Sequence, residues 1–203
     1  MEWAQAPVDT EPAAATVLLS GIPGSGKSTV AAALAARFTA SAHIEVDALQ
    51  GLIVSGGRWP SPERDEEADR QILLRARNAC LLADSFAAAG FLPVIDDVVV
   101  RRAHLGFYRE RLTGRPLHRV LLAPGAAKAR ERNLARDKTL TTDWTPLETV
   151  MRAELADEGI WIDNAELTVD RTVDAILAAT GLKPAARPVG PQRAPGGPGP
   201  GGR

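Results

Sequence analysis

The chain alternates short apolar runs with longer stretches in which apolar residues recur every three or four positions. The apolar runs are ATVLLS (15–20), AHIEV (42–46), FLPVID (91–96), LHRVLLA (117–123) and ELTVD (166–170). Nearly continuous apolar character is typical of strands that are buried on both faces, as in a parallel sheet covered by helices. The pattern therefore predicts a five-stranded parallel sheet inside a three-layer α/β fold.

Two of the intervening stretches carry signals for the start of a helix. One helix is predicted to begin at Ser61-Pro62-Glu63 and another at Thr145-Pro146. In the first of them a single apolar face is predicted from Ala68, Ile72, Leu73, Ala76, Ala79, Cys80, Ala83 and Phe86. Alternating strands and helices imply right-handed crossovers, and ligands then bind beyond the carboxyl ends of the strands.

Composition narrows the class of protein. The chain has 203 residues, of which 45% are hydrophobic and 24% charged, and its formal net charge is −1. No basic excess indicates a nucleic-acid-binding protein, and the single cysteine, Cys80, excludes an internal disulfide. Because no apolar run could span a membrane and no leader pattern is visible, we expect a cytoplasmic protein without membrane contact. Residues 1–14 and the Pro/Gly-rich residues 183–203 are expected to be disordered, and residues 15–182 form the folded domain.

The first apolar run leads into a phosphate-binding motif. Residues 21–28, GIPGSGKS, fit G-x-x-x-x-G-K-[ST] at every fixed position, between a predicted strand and a predicted helix. In this motif backbone N–H groups surround the β- and γ-phosphates, the lysine adds positive charge, and the hydroxyl is a ligand for Mg²⁺. A guanine-reading N-K-x-D is absent, which favours ATP over GTP. The residues expected to bind the nucleotide are Gly21, Pro23, Gly24, Ser25, Gly26, Lys27, Ser28 and Thr29.

Carboxylates follow two of the predicted strands. Asp47 comes after the second strand, and Asp96 and Asp97 end the third. A carboxylate near the γ-phosphate can hold Mg²⁺ or take a proton from an attacking hydroxyl, whereas at the start of a helix it can simply cap the backbone. We expect Asp96 to serve Mg²⁺ together with Ser28, and Asp97 to orient the acceptor or support Asp47.

Arginines follow the fourth strand. Arg132 and Arg136 are four residues apart and would share one face of a helix. A cationic helix of this kind can close over the phosphates as a short lid and neutralise charge on the transferring group. The alternative is a solvated helix in which Glu131 and Asp137 are local partners.

These residues together carry a family resemblance. The phosphate loop, VDAL after strand two, IDDV after strand three, the arginine-containing lid and the closing DEGIWIDNAELTVDRT resemble the chloramphenicol phosphotransferase group of P-loop kinases. The resemblance implies a shikimate-kinase-like fold and phosphorylation of a small-molecule hydroxyl by Mg·ATP. It also implies that Asp47 is the general base. From the motifs above, we expect Lys27, Arg132, Arg136 and Asp97 to share the catalytic site with it.

Two alternatives stay open. RERNLARDK (130–138) and DDVVVRRAHLGFYRER (96–111) are similar to kinases that act on a tRNA-bound serine or on a polynucleotide 5′-hydroxyl. The arginines that would favour a nucleic-acid acceptor are Arg101, Arg102, Arg109, Arg111 and Arg115. From another class, a nucleotide-dependent ATPase or switch would position only water with the same carboxylates. Trp59, in the segment after Asp47, could stack on a ring-bearing substrate or pack against the protein.

Overall fold

The computed structural model describes residues 13, 15–60, 65–114, 116–135 and 145–184. Strands and helices alternate along these residues, as the sequence pattern predicts. In chain order the elements are β1 (Thr16–Ser20), α1 (Lys27–Ala35), β2 (Ser41–Glu45), α2 (Val46–Gly51), α3 (Glu66–Ala88), β3 (Leu92–Asp97), α4 (Arg102–Arg111), β4 (Leu117–Leu122), α5 (Ala126–Leu134), α6 (Thr145–Leu155), β5 (Ile160–Ile162) and α7 (Val169–Thr180).

The five strands form one parallel sheet in the order β2-β3-β1-β4-β5. The register brings the functional strand ends together, because Ser20 of β1 lies opposite Asp97 of β3, and Asp96 lies opposite Glu45 of β2. The phosphate loop starts directly after Ser20. The predicted sheet is therefore confirmed, and its carboxyl edge gathers the phosphate loop and the candidate carboxylates.

Helices cover both faces of the sheet. On one face the strand residues Val17, Leu19 and Val94 pack in one core with α1 and α7, whose buried residues include Leu34 and Ile176. On the other face Leu18 and Ile95 pack in a second core with residues of α3, α4 and α6, among them Ala76, Tyr108 and Met151. Successive residues of a strand face opposite sides of a sheet. The two adjacent carboxylates of β3 are therefore separated, with Asp96 on the α1 side and Asp97 on the α3 side.

The predicted fifth strand at 166–170 is wrong. The strand lies earlier, at Ile160–Ile162, where Ile160 pairs with Val120 of β4. Residues 166–168 form no strand, and Val169 already begins α7. The physical reason is Thr168, whose side-chain oxygen accepts a hydrogen bond from the Arg171 backbone N–H at 3.2 Å and so caps the helix.

The start predicted for α3 is also wrong. The helix begins at Glu66, and the Asp65 carboxylate caps it by accepting from the N–H groups of Glu67 and Ala68; residues 61–64 lie outside the described part of the chain. The predicted apolar face is confirmed at its small residues, but Leu73 and Phe86 are exposed. Gln71 and Arg75 occupy buried positions in their place.

Three further points concern the chain as a whole. The predicted start of α6 at Thr145 is confirmed. Within the residues described, no helix combines the length and apolar character that a membrane crossing needs. The predicted disorder of residues 1–14 and 183–203 falls almost entirely outside the described residues.

Candidate active site

The loop between β1 and α1 has a backbone that only glycine can follow at two positions. Gly24 and Gly26 have φ values of 87° and 88°, in the left-handed region. A Cβ on Gly24 would lie 2.0 Å from the carbonyl oxygen of Ala129 in α5. Gly26 is the residue that precedes the first turn of α1. The loop is thus turned tightly around the N-terminus of α1, where backbone N–H groups and the helix dipole favour an anion.

The side chains of this loop match what a phosphate site needs. Lys27 is buried at the start of α1, and Ser25 is fully buried. The Ser25 hydroxyl is buried without a hydrogen-bond partner among the described residues. The residues predicted from the motif all lie in this loop or in the first turn of α1, where Ser28 is half-buried and Thr29 is exposed.

Asp96 has the properties of a metal-side carboxylate. Its side chain is buried, and neither carboxylate oxygen has a hydrogen-bond partner among the described residues. The ring of His43 lies nearby, with its Nε2 3.6 Å from Oδ2. Asp96 faces the side of the sheet on which α1 begins with Lys27 and Ser28. A buried carboxylate left unsatisfied in this way fits Mg²⁺ or the waters around it.

Asp97 lies on the other side of the sheet and is fully engaged by protein groups. Tyr108 donates its hydroxyl to Oδ2 at 2.8 Å, and Arg75 donates to Oδ1 at 3.4 Å. His104 Nε2 is 3.3 Å from Oδ2. Because its side chain has no exposed surface, Asp97 does not reach an acceptor molecule. Asp97 shares its partner Arg75 with Asp47, and the supporting role given above as one of two options stays a prediction.

Burial alone would raise the pKa of the Asp97 carboxyl. The neighbouring His104, Arg75 and Tyr108 outweigh burial and hold that pKa below its usual value. The pKa of the Tyr108 hydroxyl is raised well above its usual value, first by burial and then by the Asp97 charge. Asp97 is therefore a fixed negative charge, and Tyr108 remains a hydrogen-bond donor.

Arg75 connects this buried charge to Asp47. Its Nη1 donates to Asp47 Oδ1 at 3.0 Å while its Nη2 reaches Asp97. Arg75 is 5% exposed, whereas the Asp47 side chain is 46% exposed. Asp47 lies in the first turn of α2, next to the carboxyl end of β2. The site thus contains an accessible carboxylate that is held in place from behind by a buried guanidinium.

The lid helix α5 is tied to the phosphate loop through the segment after β5. Arg132 donates to the carbonyl oxygens of Asn164 and Ala165 at 2.8 and 2.9 Å. Asn164 in turn donates to the carbonyl oxygen of Ser25 at 3.0 Å. The Arg132 guanidinium lies beside the loop, with Nη1 4.0 Å from the point that a Cβ on Gly26 would occupy. Arg136, the other predicted lid arginine, lies outside the described residues.

The arginines of α4 have acidic partners. Arg101 pairs with Glu154 at 2.7 Å, and Arg102 pairs with Asp157 and with Glu158. Arg109 also reaches Glu158, at 3.2 Å. Arg111 lies over the ring of Phe107, with 4.5 Å between Cζ and the ring centroid, and Arg115 lies outside the described residues. Since α6 and the turn after it neutralise these cations, the cluster does not support a nucleic-acid acceptor.

Comparison with known proteins defines the family of this chain. The family model described as "AAA domain" matches residues 17–156. The chain belongs to this family. No curated protein matches the chain significantly in sequence.

Solved structures share the fold of this AAA-domain protein. A sugar kinase from Janibacter sp. HTCC2649 is 21% identical with a TM-score of 0.64, over 85% of this chain and 97% of that chain. The tunicamycin resistance protein of Deinococcus radiodurans is 23% identical with a TM-score of 0.63, over 85% and 99%. A gluconokinase from Sinorhizobium meliloti 1021 is 19% identical with a TM-score of 0.55, over 85% and 93%. These likenesses confirm the P-loop kinase fold, and the resemblance to chloramphenicol phosphotransferases stays a prediction.

Sequence reasoning missed Arg75, Tyr108 and Asn164. Only Arg75 left a signal in the sequence, because it interrupts the apolar face of α3 between Ile72 and Ala76. A charged residue in such a stripe is rarely buried without a partner. Tyr108 and Asn164 are joined to Asp97 and Ser25 by contacts across the fold, which no local pattern indicates.

Proposed function

We propose that this protein is an ATP-dependent kinase that transfers the γ-phosphoryl group to a hydroxyl of a small molecule, with an antibiotic or another natural product as the favoured acceptor. The observation that carries the proposal is the placement of Asp47. Its carboxylate is 46% exposed, is held by Arg75, and lies at the sheet edge that also carries the phosphate loop. An exposed carboxylate at this edge can meet the hydroxyl of an acceptor molecule. Two of the similar structures, a sugar kinase and a gluconokinase, agree with this assignment.

Each residue then has a defined task. Backbone N–H groups of residues 24–28 and the charge of Lys27 hold the phosphates and neutralise them. Asp47 accepts a hydrogen bond from the acceptor hydroxyl and takes its proton as that oxygen approaches the γ-phosphorus. Arg75 fixes the direction of the Asp47 carboxylate, and Asp97 fixes Arg75. Arg132 adds positive charge from the lid side of the loop.

Ser28 and Asp96 would hold Mg²⁺, which when bound neutralises charge on the β- and γ-phosphates. The unsatisfied oxygens of Asp96 support this assignment. Among the described residues, no group of three or more His, Cys, Asp or Glu could hold a metal ion. We therefore expect Mg²⁺ to bind together with the nucleotide, whose phosphate oxygens complete its ligands.

The test begins with the acceptor. Full-length protein is incubated with labelled Mg·ATP and a panel of antibiotics and metabolites, and products are examined by mass spectrometry for the gain of one phosphate. ADP release that depends on an acceptor supports the kinase. Turnover that is the same with and without any acceptor would contradict it and favour the ATPase alternative.

Asp47→Asn tests the base. We expect phosphoryl transfer to fall by a factor of about 100 or more, because a positioned general base is lost, while nucleotide affinity stays unchanged. Asp170→Asn is the matched control, since Asp170 is an exposed carboxylate in the first turn of α7 that pairs with Arg37. If Asp47→Asn transfers phosphate as fast as the control variant, Asp47 is not the base.

A further inference from the structure

The segment after Asp47 displays apolar side chains that the mechanism above does not use. Residues 52–60, here called the platform segment, follow α2. They expose Leu52 to 74%, Val54 to 98% and Trp59 to 55%. Contiguous exposed apolar patches mark binding surfaces, and three large exposed apolar side chains within eight residues make this segment a candidate for one.

The platform segment is held by a buried pair of amides. Gln71 of α3 accepts at Oε1 from the Arg58 backbone N–H at 2.7 Å and from Gln50 at 2.9 Å. Its Nε2 donates to the Gly56 carbonyl at 2.9 Å and to Glu67 at 2.8 Å. Gln50 also donates to the Arg58 carbonyl at 3.0 Å. Because the Gln71 amide uses both donors and both acceptor positions, the backbone on each side of Gly57 is fixed.

Helix α3 also places the platform segment over the candidate active site. Helix α3 runs back toward the start of β3, so its first turns rise beyond the carboxyl edge of the sheet. Arg75 reaches Asp47 and Asp97 at that edge. Gln71 lies one turn nearer the helix start, about 6 Å farther out. The backbone at 56–58 and the adjacent Trp59 therefore lie beyond the edge on the Asp47 side, where ligands of such folds bind.

The charged residues around the platform segment disfavour an anionic acceptor. Arg75 lies between two carboxylates, and the Arg58 guanidinium lies 4.0 Å from Asp65. Across the described residues 46–60 and 65–77 there are five acidic residues and four arginines. No surplus positive charge is available in this stretch for an acidic acceptor, and the net charge repels one.

We propose that the platform segment is the acceptor subsite and that it takes an uncharged alcohol with an apolar, ring-bearing body, with Trp59 and Val54 as its specificity-determining residues. This proposal rests on the kinase function proposed above. The ring lies on Trp59 and Val54 while the hydroxyl points to Asp47. Since Gln71 holds the segment before the acceptor arrives, little ordering is lost on binding. The charge of the residues around the platform segment disfavours sugar acids and other anionic acceptors.

Binding is tested with three probes: 3-phenylpropan-1-ol, 3-phenylpropionate and glycerol. Full-length protein is saturated with Mg²⁺ and a non-hydrolysable ATP analogue, and saturation-transfer NMR gives a dissociation constant for each probe. We expect the aromatic alcohol to bind at least about tenfold more tightly than the acid or glycerol, because only the alcohol is both apolar and uncharged. Equal binding of the acid would overturn the proposal.

Four variants locate the binding. Trp59→Ser and Val54→Ser are expected to weaken binding of the alcohol, Trp59→Ser by about tenfold. Trp59→Phe keeps an aromatic face and should stay within about threefold of the parent. Leu81→Ser is the matched control, since Leu81 is an exposed apolar residue of α3 two turns beyond Arg75, and it should change nothing. Binding that is insensitive to both platform variants would overturn the subsite.

The mass-spectrometric panel, repeated with Trp59→Ser, separates this inference from the kinase assignment. Alcohol binding that depends on Trp59, without phosphate gain by any acceptor, supports the subsite and contradicts the kinase. Phosphorylation whose rate is unchanged in Trp59→Ser supports the kinase and overturns the subsite. Loss of transfer to neutral aromatic acceptors in Trp59→Ser, with transfer kept in Trp59→Phe, supports both.

Discussion

Arg75 shows how a single residue organises the site from inside the protein. It is a buried cation on a helix face that is otherwise apolar or amide-bearing, a position that is costly for an unpaired charge. Asp97 and Asp47 compensate that charge from two sides. One carboxylate is buried and the other is exposed, so the arginine transmits a fixed geometry from the core to the accessible acid.

Replacement of Arg75 tests this arrangement. Arg75→Met leaves the Asp97 charge without its guanidinium, and we expect the free energy of unfolding to fall by about 3–5 kcal/mol. Urea denaturation followed by circular dichroism measures the change. Arg75→Lys keeps the charge but cannot form two hydrogen bonds in fork geometry, so a smaller loss is expected. An unfolding midpoint in Arg75→Met equal to that of the parent would rule out an important ion pair here.

Cys80 gives a second residue-scale prediction. Burial, and after it the charge of Asp84, raises the pKa of the thiol to about 12, so almost no thiolate exists at pH 8. We expect the native protein to be inert to a disulfide-exchange reagent such as DTNB at pH 8 and the urea-unfolded protein to release one equivalent of thiol. Because Cys80 is the only cysteine, the stoichiometry is unambiguous. Fast reaction of the native protein would show that the thiol is accessible.

Motif residues were predictable at this scale, and their partners were not. The spacing of glycines, lysine and serine in residues 21–28 predicts a phosphate loop because that geometry is local to one turn. The pairing of Arg75 with Asp47 and Asp97 spans 28 and 22 residues of chain. Likewise no local pattern indicates that His43 and His104 lie against the strand-end carboxylates Asp96 and Asp97.

At the scale of elements, the apolar pattern at residues 166–170 predicts a strand, but the structure has the start of α7 there. ELTVD alternates like a strand over five residues, but its threonine caps a helix whose buried residues are Thr172, Val173 and Ile176. The true β5 has only three residues, Ile160–Ile162, and depends on pairing with β4. Short apolar runs do not distinguish strand from helix start by periodicity, and the neighbouring strand decides.

Thr168→Ala tests the cap. The variant loses the side-chain acceptor for the Arg171 N–H, and the free energy of unfolding should fall by about 1 kcal/mol. Thr168→Ser keeps the hydroxyl and is expected to be close to the parent. Chemical denaturation of both variants gives the comparison, and equal losses in the two would assign the effect to the threonine methyl group instead.

At the scale of the whole molecule, the nucleotide site joins parts of the chain that are far apart in sequence. The phosphate loop, the segment after β5 and the lid helix α5 interlock through Asn164, Arg132 and the close approach of Gly24 to Ala129. The proposed acceptor side is built separately, from α2, the platform segment and the first turns of α3. Such a division lets nucleotide binding stay constant while acceptor preference varies.

Ligand binding at this site should stabilise the entire fold. At a Mg·ATP concentration about 100 times its dissociation constant, the expected stabilisation is about 2.7 kcal/mol, which corresponds to a rise in Tm of roughly 5–10 °C for a chain of this size. Differential scanning fluorimetry measures it. Lys27→Ala should lose most of the rise, whereas Asp47→Asn should keep it, because Asp47 faces the acceptor. An equal rise in Lys27→Ala would place the nucleotide elsewhere.

The sequence by itself determined the fold class, the strand that carries the phosphate loop and the two strand ends that carry carboxylates. These follow from local causes: continuous burial of strands, glycine geometry, and a motif contained in eight residues. Only the tertiary structure decided the surroundings of those carboxylates. Adjacent residues of β3 face opposite sides of the sheet, so Asp96 is left unsatisfied on the α1 side while Asp97 is buried against Arg75 and Tyr108. Side-chain environment on a sheet depends on what packs against each face, and that information is distributed over the whole chain.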